Sequence, residues 1–149
     1  MNFIIREPIS NDLDSNLLNL FIQGYEYHYN NRPDKFKNRS KERLSDILVE
    51  TMRNSKILVI EKEKIIIGYV SYQFKEKVHK SLWIDELVID TEYRNSGYGK
   101  ILMNKLEDIA KEENCKNIEL CCWEFNNNAK AIYEHLEYKE QRIIYEKNI

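Results

Sequence analysis

The feature that most constrains the fold is a β-rich run that enters a glycine-containing loop, continues into an amphipathic helix and ends in a second β-rich run. The first run covers residues 81–89 and the second covers residues 118–123, while Leu102, Leu106 and Ile109 recur at helical spacing between them. A crossover helix of this kind returns the chain so that the two flanking strands lie parallel in one sheet. The pattern therefore predicts a strand–helix–strand unit within an α/β domain.

The segments around this unit predict further helices and an antiparallel hairpin. Residues 56–61 and 64–74 are β-rich and flank a charged turn, so we expect them to pair, although the turn lacks Asn-Gly. Ser10 or Asn11 is expected to cap a first helix, and Ser40 a second. The other predicted elements are a first strand at residues 3–6, a short helix at 127–135 and a last strand at 138–145. This order predicts one domain over residues 1–149, an α/β fold with a mixed central sheet flanked by helices.

Charge and cysteine content argue against several classes of protein. Lysine and arginine number 23 against 25 aspartates and glutamates, and a net charge of −2 lacks the basic surplus that nucleic acids attract. Cys115, Cys121 and Cys122 form no C-x-x-C pair, so we expect neither a disulfide framework nor a metal site, and a reducing cytoplasm fits best. No apolar run approaches about 18 residues, and the N-terminal segment lacks a signal-peptide pattern, so no membrane partner is expected.

The loop at residues 90–100 has the character of an anion site. Gly97 and Gly99 are two of the four glycines of the chain, and glycine lets the backbone approach a ligand closely. The free N–H groups and the positive dipole end of the following helix attract anions, and Arg94 and Lys100 flank the loop. Neither the Walker pattern nor G-x-G-x-x-G is present. From these residues alone, a pyrophosphate cradle and a plain strand-to-helix turn both remain open.

Two motifs together resemble the GNAT superfamily of N-acetyltransferases. Residues 94–99, Arg-Asn-Ser-Gly-Tyr-Gly, are similar to the family's R-x-x-G-x-G acyl-CoA loop. Residues 126–136, Asn-Asn-Asn-Ala-Lys-Ala-Ile-Tyr-Glu-His-Leu, are similar to its N-x-x-A-x-x-x-Y-E-x-L segment. A helix and a strand separate the two motifs, as in the family. One departure follows the second motif, where Glu137-Tyr138 stands in place of the usual Gly-Phe.

The resemblance implies acetyl-CoA as co-substrate, with no metal. Backbone groups of Leu87 and Ile89 would pair with the pantetheine arm, the loop would hold the pyrophosphate, and Asn126 would meet the pantetheine or the acyl region. Tyr133 would protonate the leaving thiolate. The implied cofactor-binding residues are Leu87, Val88, Ile89, Arg94, Asn95, Ser96, Gly97, Tyr98, Gly99, Lys100 and Asn126.

Asp85 and Glu86 are the candidates for accepting the proton of an attacking amine. A primary amine with a pKa of about 10.4 is mostly protonated at neutral pH, and a carboxylate, directly or through water, can take the proton. Adjacent residues of a regular strand point to opposite faces, and a bulge, which the family commonly has in this strand, would change that. We favour Glu86 as the base. The alternative, that one or both acids are solvated or paired with lysine, stays open.

Aromatic and acidic side chains crowd the end of the first helix. Tyr25, Glu26, His28 and Tyr29 predict a substrate lip, with core packing as the alternative. Acids near the site favour a small cationic amine as acceptor, such as a polyamine, an aminoglycoside or an amino-acid-like metabolite. The amine is expected to attack acetyl-CoA directly in a ternary complex. A protein or peptide amine, and a non-catalytic acyl-CoA sensor, are the alternatives. A homodimer is compatible with the sequence.

Overall fold

A five-stranded sheet forms the centre of the computed structural model, which describes residues 2–149. The strands are β1 Ile4–Arg6, β2 Lys56–Lys62, β3 Ile65–Glu76, β4 Lys80–Ile89 and β5 Asn117–Leu120. They lie in this order across the sheet; β1, β2, β3 and β4 pair with one another antiparallel, and β5 pairs with β4 in parallel. The predicted hairpin, the predicted parallel pair and the mixed sheet are confirmed.

Four helices cover the two faces of this sheet. Helices α1 and α2 pack on one face around Leu17, Leu48 and Tyr69, and helices α3 and α4 on the other around Leu102 and Leu106. The Ser40 hydroxyl accepts from the Arg43 N–H across 3.1 Å, which confirms the predicted cap of α2. The helix bounds are α1 Asn16–Asn31, α2 Lys41–Asn54, α3 Tyr98–Glu112 and α4 Asn127–His135.

The β2–β3 turn works without glycine. Glu63 and Lys64 adopt φ values of 51° and 66°, the left-handed conformation that Asn-Gly turns reach more easily. The long flanking strands hold this conformation, since each strand buries much of its length in the two cores. A turn signal is therefore dispensable where the paired strands supply the stabilisation.

The first α-helix begins later than Ser10 or Asn11. Residues Ser10–Asp14 form a short 3₁₀ turn, and Ser15 is extended before α1 starts. The Asp12 carboxylate accepts from the Ile9 N–H across 2.7 Å and from Arg6 across 2.8 Å, so it caps the short turn and ties it to β1. The prediction failed because residues Ser10–Asp14 form a separate 3₁₀ turn, which the Asp12 side chain caps, and α1 starts only after Ser15.

The predicted last strand at residues 138–145 is wrong. Glu137 turns the chain with a φ of 66°, the conformation that glycine usually supplies, and the following segment is irregular. Glu146 then pairs with Arg32 at 2.8 Å and with Lys35 at 3.5 Å, which places the tail against the loop between α1 and α2. The β-forming side chains of residues 143–145 are largely exposed. Their β propensity alone does not make a strand, because a strand also needs a neighbouring strand that supplies hydrogen bonds.

Candidate active site

Strands β4 and β5 part from each other halfway along β4. Their parallel pairing runs from Ser81 with Asn117 to Ile84 with Leu120; β5 then ends, whereas β4 continues to Ile89. Strand β5 is thus shorter than predicted, and residues 121–123 leave the sheet. The second half of β4 consequently has β3 on one side and an open edge on the other.

The open edge presents the backbone groups that the sequence singled out. The Asp90 N–H donates to the Ile67 carbonyl of β3 across 2.8 Å. Backbone groups alternate in direction along a strand, so those of Val88 also face β3 and those of Leu87 and Ile89 face the open edge. The Arg94 Nε donates to the Ile89 carbonyl across 3.0 Å, which anchors the following loop to this edge.

The loop after β4 delivers the start of α3 to the same edge. A 3₁₀ turn at Thr91–Tyr93 leads to Asn95 and Gly97, whose φ values of 61° and 89° are both left-handed. The Ile101 N–H makes the first intrahelical bond, to the Gly97 carbonyl, so the N–H groups of residues 98–100 precede it and are available to an anion. A Cβ on Gly97 would meet nothing within 4 Å, so this residue borders open space.

Tyr98 and Gly99 are buried residues at the start of α3 and contribute to packing, while their N–H groups face no intrahelical partner. The Tyr98 ring is buried and lies 6.4 Å from the Phe3 ring and 6.3 Å from the Tyr93 ring. A Cβ on Gly99 would lie 3.2 Å from Ile132 Cδ1, so glycine here lets α3 and α4 pack closely. Ser96 is exposed, and Lys100 is half-buried in the first turn of α3.

Helix α4 carries the two residues of the second motif. The Asn126 Oδ1 accepts from the Ala129 N–H across 3.3 Å, so Asn126 caps this helix. Tyr133 packs against the α3-side core, with its ring 5.9 Å from that of Tyr138. Burial, reinforced by Cys122 and Tyr138, raises the pKa of Tyr133 above its ordinary value. Its hydroxyl therefore stays protonated at neutral pH, the state that a general acid needs.

A β-bulge brings both acids to one face of the sheet. Ser71 pairs with Glu86 and Tyr72 pairs with Ile84, so Asp85 is the extra residue. The Asp85 carboxylate accepts from Gln73 Nε2, with both oxygens at 3.1 Å. Glu86 accepts from the Tyr69 hydroxyl, and Tyr69 and Gln73 are an even number of residues apart on β3, so their side chains point to the same face. Because α1 and α2 cover the face that carries Tyr69, both acids lie on that face.

Glu86 is half-buried although it is ionisable. The Tyr69 hydroxyl donates to Glu86 Oε2 across 2.9 Å. Burial raises the pKa of Glu86, the hydrogen bond from Tyr69 opposes this shift, and the charge of Asp85 adds to it. A carboxyl group with a raised pKa is a better proton acceptor than a fully solvated one. Glu86 and Tyr133 lie on opposite faces of the sheet, on either side of the open edge.

The residues predicted as a substrate lip fall into two groups. Tyr25, Glu26 and Tyr29 line a shallow cavity of about 300 Å³ with Asn38 and Arg39, and no lining residue of it comes from the sheet. The cavity does not include the acid pair, but the Tyr25 ring also lies 5.9 Å from that of Phe36.

His28 lies on the side of α1 that faces the sheet. Gly24 packs on Val88 of β4, and His28 follows one turn later on the same helix face. The rings of Phe36 and Phe125 lie 5.5 Å and 5.7 Å from the His28 ring. Trp123 completes this aromatic cluster, with its ring 5.8 Å from Phe36, so the segment after β5 meets the loop after α1 here.

The sequence analysis missed Tyr69, Gln73 and Phe125. Tyr69 and Gln73 acquire their roles from the register of β3 against β4, and no spacing within β3 signals that register. Phe125 is 97 positions from His28, and the two rings come together only because the segment after β5 meets the end of α1. The predicted Asp85-Glu86 pair was the signal that pointed toward this region.

Within residues 2–149, no group of three or more His, Cys, Asp and Glu side chains is placed to hold a metal ion. None of the helices in that range has the length and apolar composition that crossing a membrane requires.

Comparison with known proteins gives a family and a fold. The model of the acetyltransferase (GNAT) family matches residues 17–138. The thialysine N-epsilon-acetyltransferase of Bos taurus is 25% identical over 73 residues, which are 48% of this chain and 43% of that protein. The chain matches less than half of the length of its curated relatives.

Two solved structures extend the likeness over nearly the whole chain. A mutant of the BH1408 protein from Bacillus halodurans is 24% identical, with a TM-score of 0.84 and coverage of 98% of this chain and 99% of that one. An aminoglycoside N-acetyltransferase in complex with CoA is 12% identical, with a TM-score of 0.75 and coverage of 99% of this chain and 95% of that one. At these identities the likeness shows the fold.

Proposed function

The chain belongs to the GNAT acetyltransferase family, and from that premise we propose that it transfers the acetyl group of acetyl-CoA to a small cationic primary amine. The observation that carries the proposal is the open edge of β4, which leads through the glycine loop to the N–H groups that precede the first intrahelical bond of α3. An extended amide-bearing arm can pair with such an edge, and a pyrophosphate fits such a helix start. The pantetheine arm and the pyrophosphate of CoA lie in that order along one molecule.

The side chains on the two sides of the open edge divide the proton transfers between them. Bound acetyl-CoA supplies a thioester whose carbonyl carbon the neutral amine attacks, so that a C–N bond forms and the C–S bond breaks. Glu86 accepts the proton that the amine gives up. Tyr133 donates its proton to the departing sulfur, and no covalent intermediate with the protein forms.

A cationic acceptor fits the charge of the site. Asp85 and Glu86 share one face, and the aromatic cluster of His28, Phe36, Trp123 and Phe125 lies beside the end of α1. Carboxylates and aromatic faces both attract ammonium groups. The thialysine N-epsilon-acetyltransferase and the aminoglycoside N-acetyltransferase among the similar proteins are named for amine acceptors. A homodimer and a cytoplasmic location stay predictions from the sequence.

Two measurements in sequence test this function. Acetyl-CoA should raise the melting temperature of the protein, and a panel of amines should then stimulate the release of free CoA thiol. Release of CoA thiol with small diamines or aminoglycosides supports the proposal. Release only with peptides would instead identify a protein or peptide amine as the acceptor. Stabilisation by acetyl-CoA without release for any amine would identify a non-catalytic acyl-CoA sensor. No stabilisation would contradict the proposed cofactor.

Replacing Tyr133 with phenylalanine should lower kcat and leave acetyl-CoA affinity nearly unchanged. A positioned general acid contributes about 10²–10⁴-fold, and we expect the low end because a CoA thiolate is already a fair leaving group. Tyr138→Phe is the matched control, since Tyr138 lies beside Tyr133 but follows the helix. Full turnover of Tyr133→Phe in an assay limited by chemistry would reassign Tyr133 to packing.

A further inference from the structure

The Tyr69 hydroxyl is the group that contacts Glu86 from the neighbouring strand. It donates to Glu86 Oε2 across 2.9 Å, and Tyr69 is 1% exposed in the core beneath α1 and α2. We propose that Tyr69 is a positioning residue for acetyl transfer, whose hydroxyl fixes the Glu86 carboxylate and keeps it ready to accept the amine proton. This proposal rests on the proposed function of Glu86 as proton acceptor.

The packing of the Tyr69 ring fixes the direction in which its hydroxyl donates. Tyr69 pairs with Val88 across the sheet, and its ring belongs to the core that contains Val59 and Leu48. A side chain locked by packing supports a catalytic group better than a mobile one does. The hydrogen bond occupies Oε2 and leaves Oε1 of the carboxylate to meet an amine.

The hydrogen bond from the Tyr69 hydroxyl opposes the effects that the rest of its surroundings have on the pKa of Glu86. Asp85 is its neighbour on β4, Ser71 faces it from β3, and His28 is the titratable group that α1 brings toward this end of the strand. Burial and Asp85 both raise the pKa of Glu86, and the hydrogen bond from Tyr69 lowers it. Burial also raises the pKa of Tyr69 well above its ordinary value, so its hydroxyl remains a donor across the assay range.

The test compares Tyr69→Phe with Tyr72→Phe. Without the Tyr69 hydroxyl, Glu86 should hold its proton to higher pH, so the acidic limb of the kcat/KM profile for the amine should move upward. A hydrogen bond to a charged group is worth enough to predict a loss of about tenfold in kcat/KM on that limb, with partial recovery at high pH. Acetyl-CoA affinity should not change. Tyr72 is also buried in β3 but packs on the α3 face, so its variant should keep the wild-type profile.

His28 requires a separate variant because its imidazole is a second group at this end of β4 that could carry a proton. In His28→Gln, any part of the acidic limb that belongs to His28 disappears. Adding Tyr69→Phe to the His28→Gln protein should still move the acidic limb of the kcat/KM profile to higher pH if that limb belongs to Glu86. A shift that vanishes with His28 would overturn the assignment to Glu86.

A measurement without turnover separates this inference from the function on which it rests. In protein labelled with ¹³C at the glutamate carboxyl carbon, the signal absent from Glu86→Gln identifies Glu86. Its titration midpoint should move to higher pH in Tyr69→Phe, and an unchanged midpoint would overturn the inference even if amines are acetylated. Absence of turnover in the wild-type protein with every amine would instead overturn the proposed function, and the catalytic role of Tyr69 with it.

Discussion

Replacing Gly97 with valine is expected to abolish measurable acetyl-CoA binding, with a loss of at least about 100-fold, while the protein stays folded. Gly97 has a φ of 89°, where a β-branched residue is strained by about 1–3 kcal/mol, so the loop should move away from the conformation that presents the N–H groups of residues 98–100. A side chain would also project into the space where the pyrophosphate is proposed to lie, since nothing from the protein is within 4 Å. Calorimetric titration with acetyl-CoA measures the effect.

Gly97→Asn is the matched control for this variant. Asparagine tolerates the left-handed conformation far better than valine does, so it should retain more affinity if backbone geometry dominates. Equal losses in the two variants would instead indicate crowding of the ligand by any side chain. Wild-type affinity in a folded Gly97→Val protein would reject the pyrophosphate cradle.

Replacing Glu86 with glutamine is expected to lower kcat/KM for the amine by about 10²-fold or more near neutral pH. Glutamine keeps the size of the side chain and can still accept from Tyr69, but it cannot take a proton from the amine. Because burial raises the pKa of Glu86, wild-type activity should fall as pH drops through a limb above the ordinary range of a carboxyl group. That limb should change shape in Glu86→Gln, and raising the pH should partly rescue the variant because more of the amine is already neutral.

Asp85→Asn is the control for the base. Asp85 is exposed and accepts a hydrogen bond from Gln73, so removing its negative charge should act mainly on the KM of a cationic amine. Superimposable pH profiles for wild type and both variants would remove the two acids from the mechanism and leave a chain of waters as proton acceptor. A larger effect in Asp85→Asn than in Glu86→Gln would reverse their roles.

The sequence predicted the parts of the fold in which local pattern and tertiary pairing agree. The strand, loop and helix around Gly97 carry both a periodicity and a motif, and the structure confirms them. The segment at 138–145 has a strand-like composition, but pairing of Glu146 with Arg32 places it beside the α1–α2 loop. Propensity alone could not foresee this, because a strand depends on a partner elsewhere in the chain.

The site was predictable where chemistry is local and unpredictable where it depends on register. The adjacent acids Asp85 and Glu86 were visible in the sequence, but which face each takes depends on a one-residue bulge that no local signal marks. The register beyond the bulge, in which Tyr69 pairs with Val88 and Ser71 with Glu86, brings Tyr69 to Glu86. Tyr29 was grouped with His28 because the two are adjacent in sequence, yet the helical repeat turns Tyr29 to a different side of α1, where it lines a cavity with Asn38 and Arg39.

The central claim is that acetyl passes directly from acetyl-CoA to an amine when both are bound. Initial rates of thiol release, measured over a matrix of acetyl-CoA and amine concentrations with the best amine of the panel, test it most directly. Double-reciprocal plots should intersect, because both substrates must be present before the C–S bond breaks. Parallel lines, the signature of a covalent acetyl-enzyme, or a rate that does not depend on the amine would contradict the account.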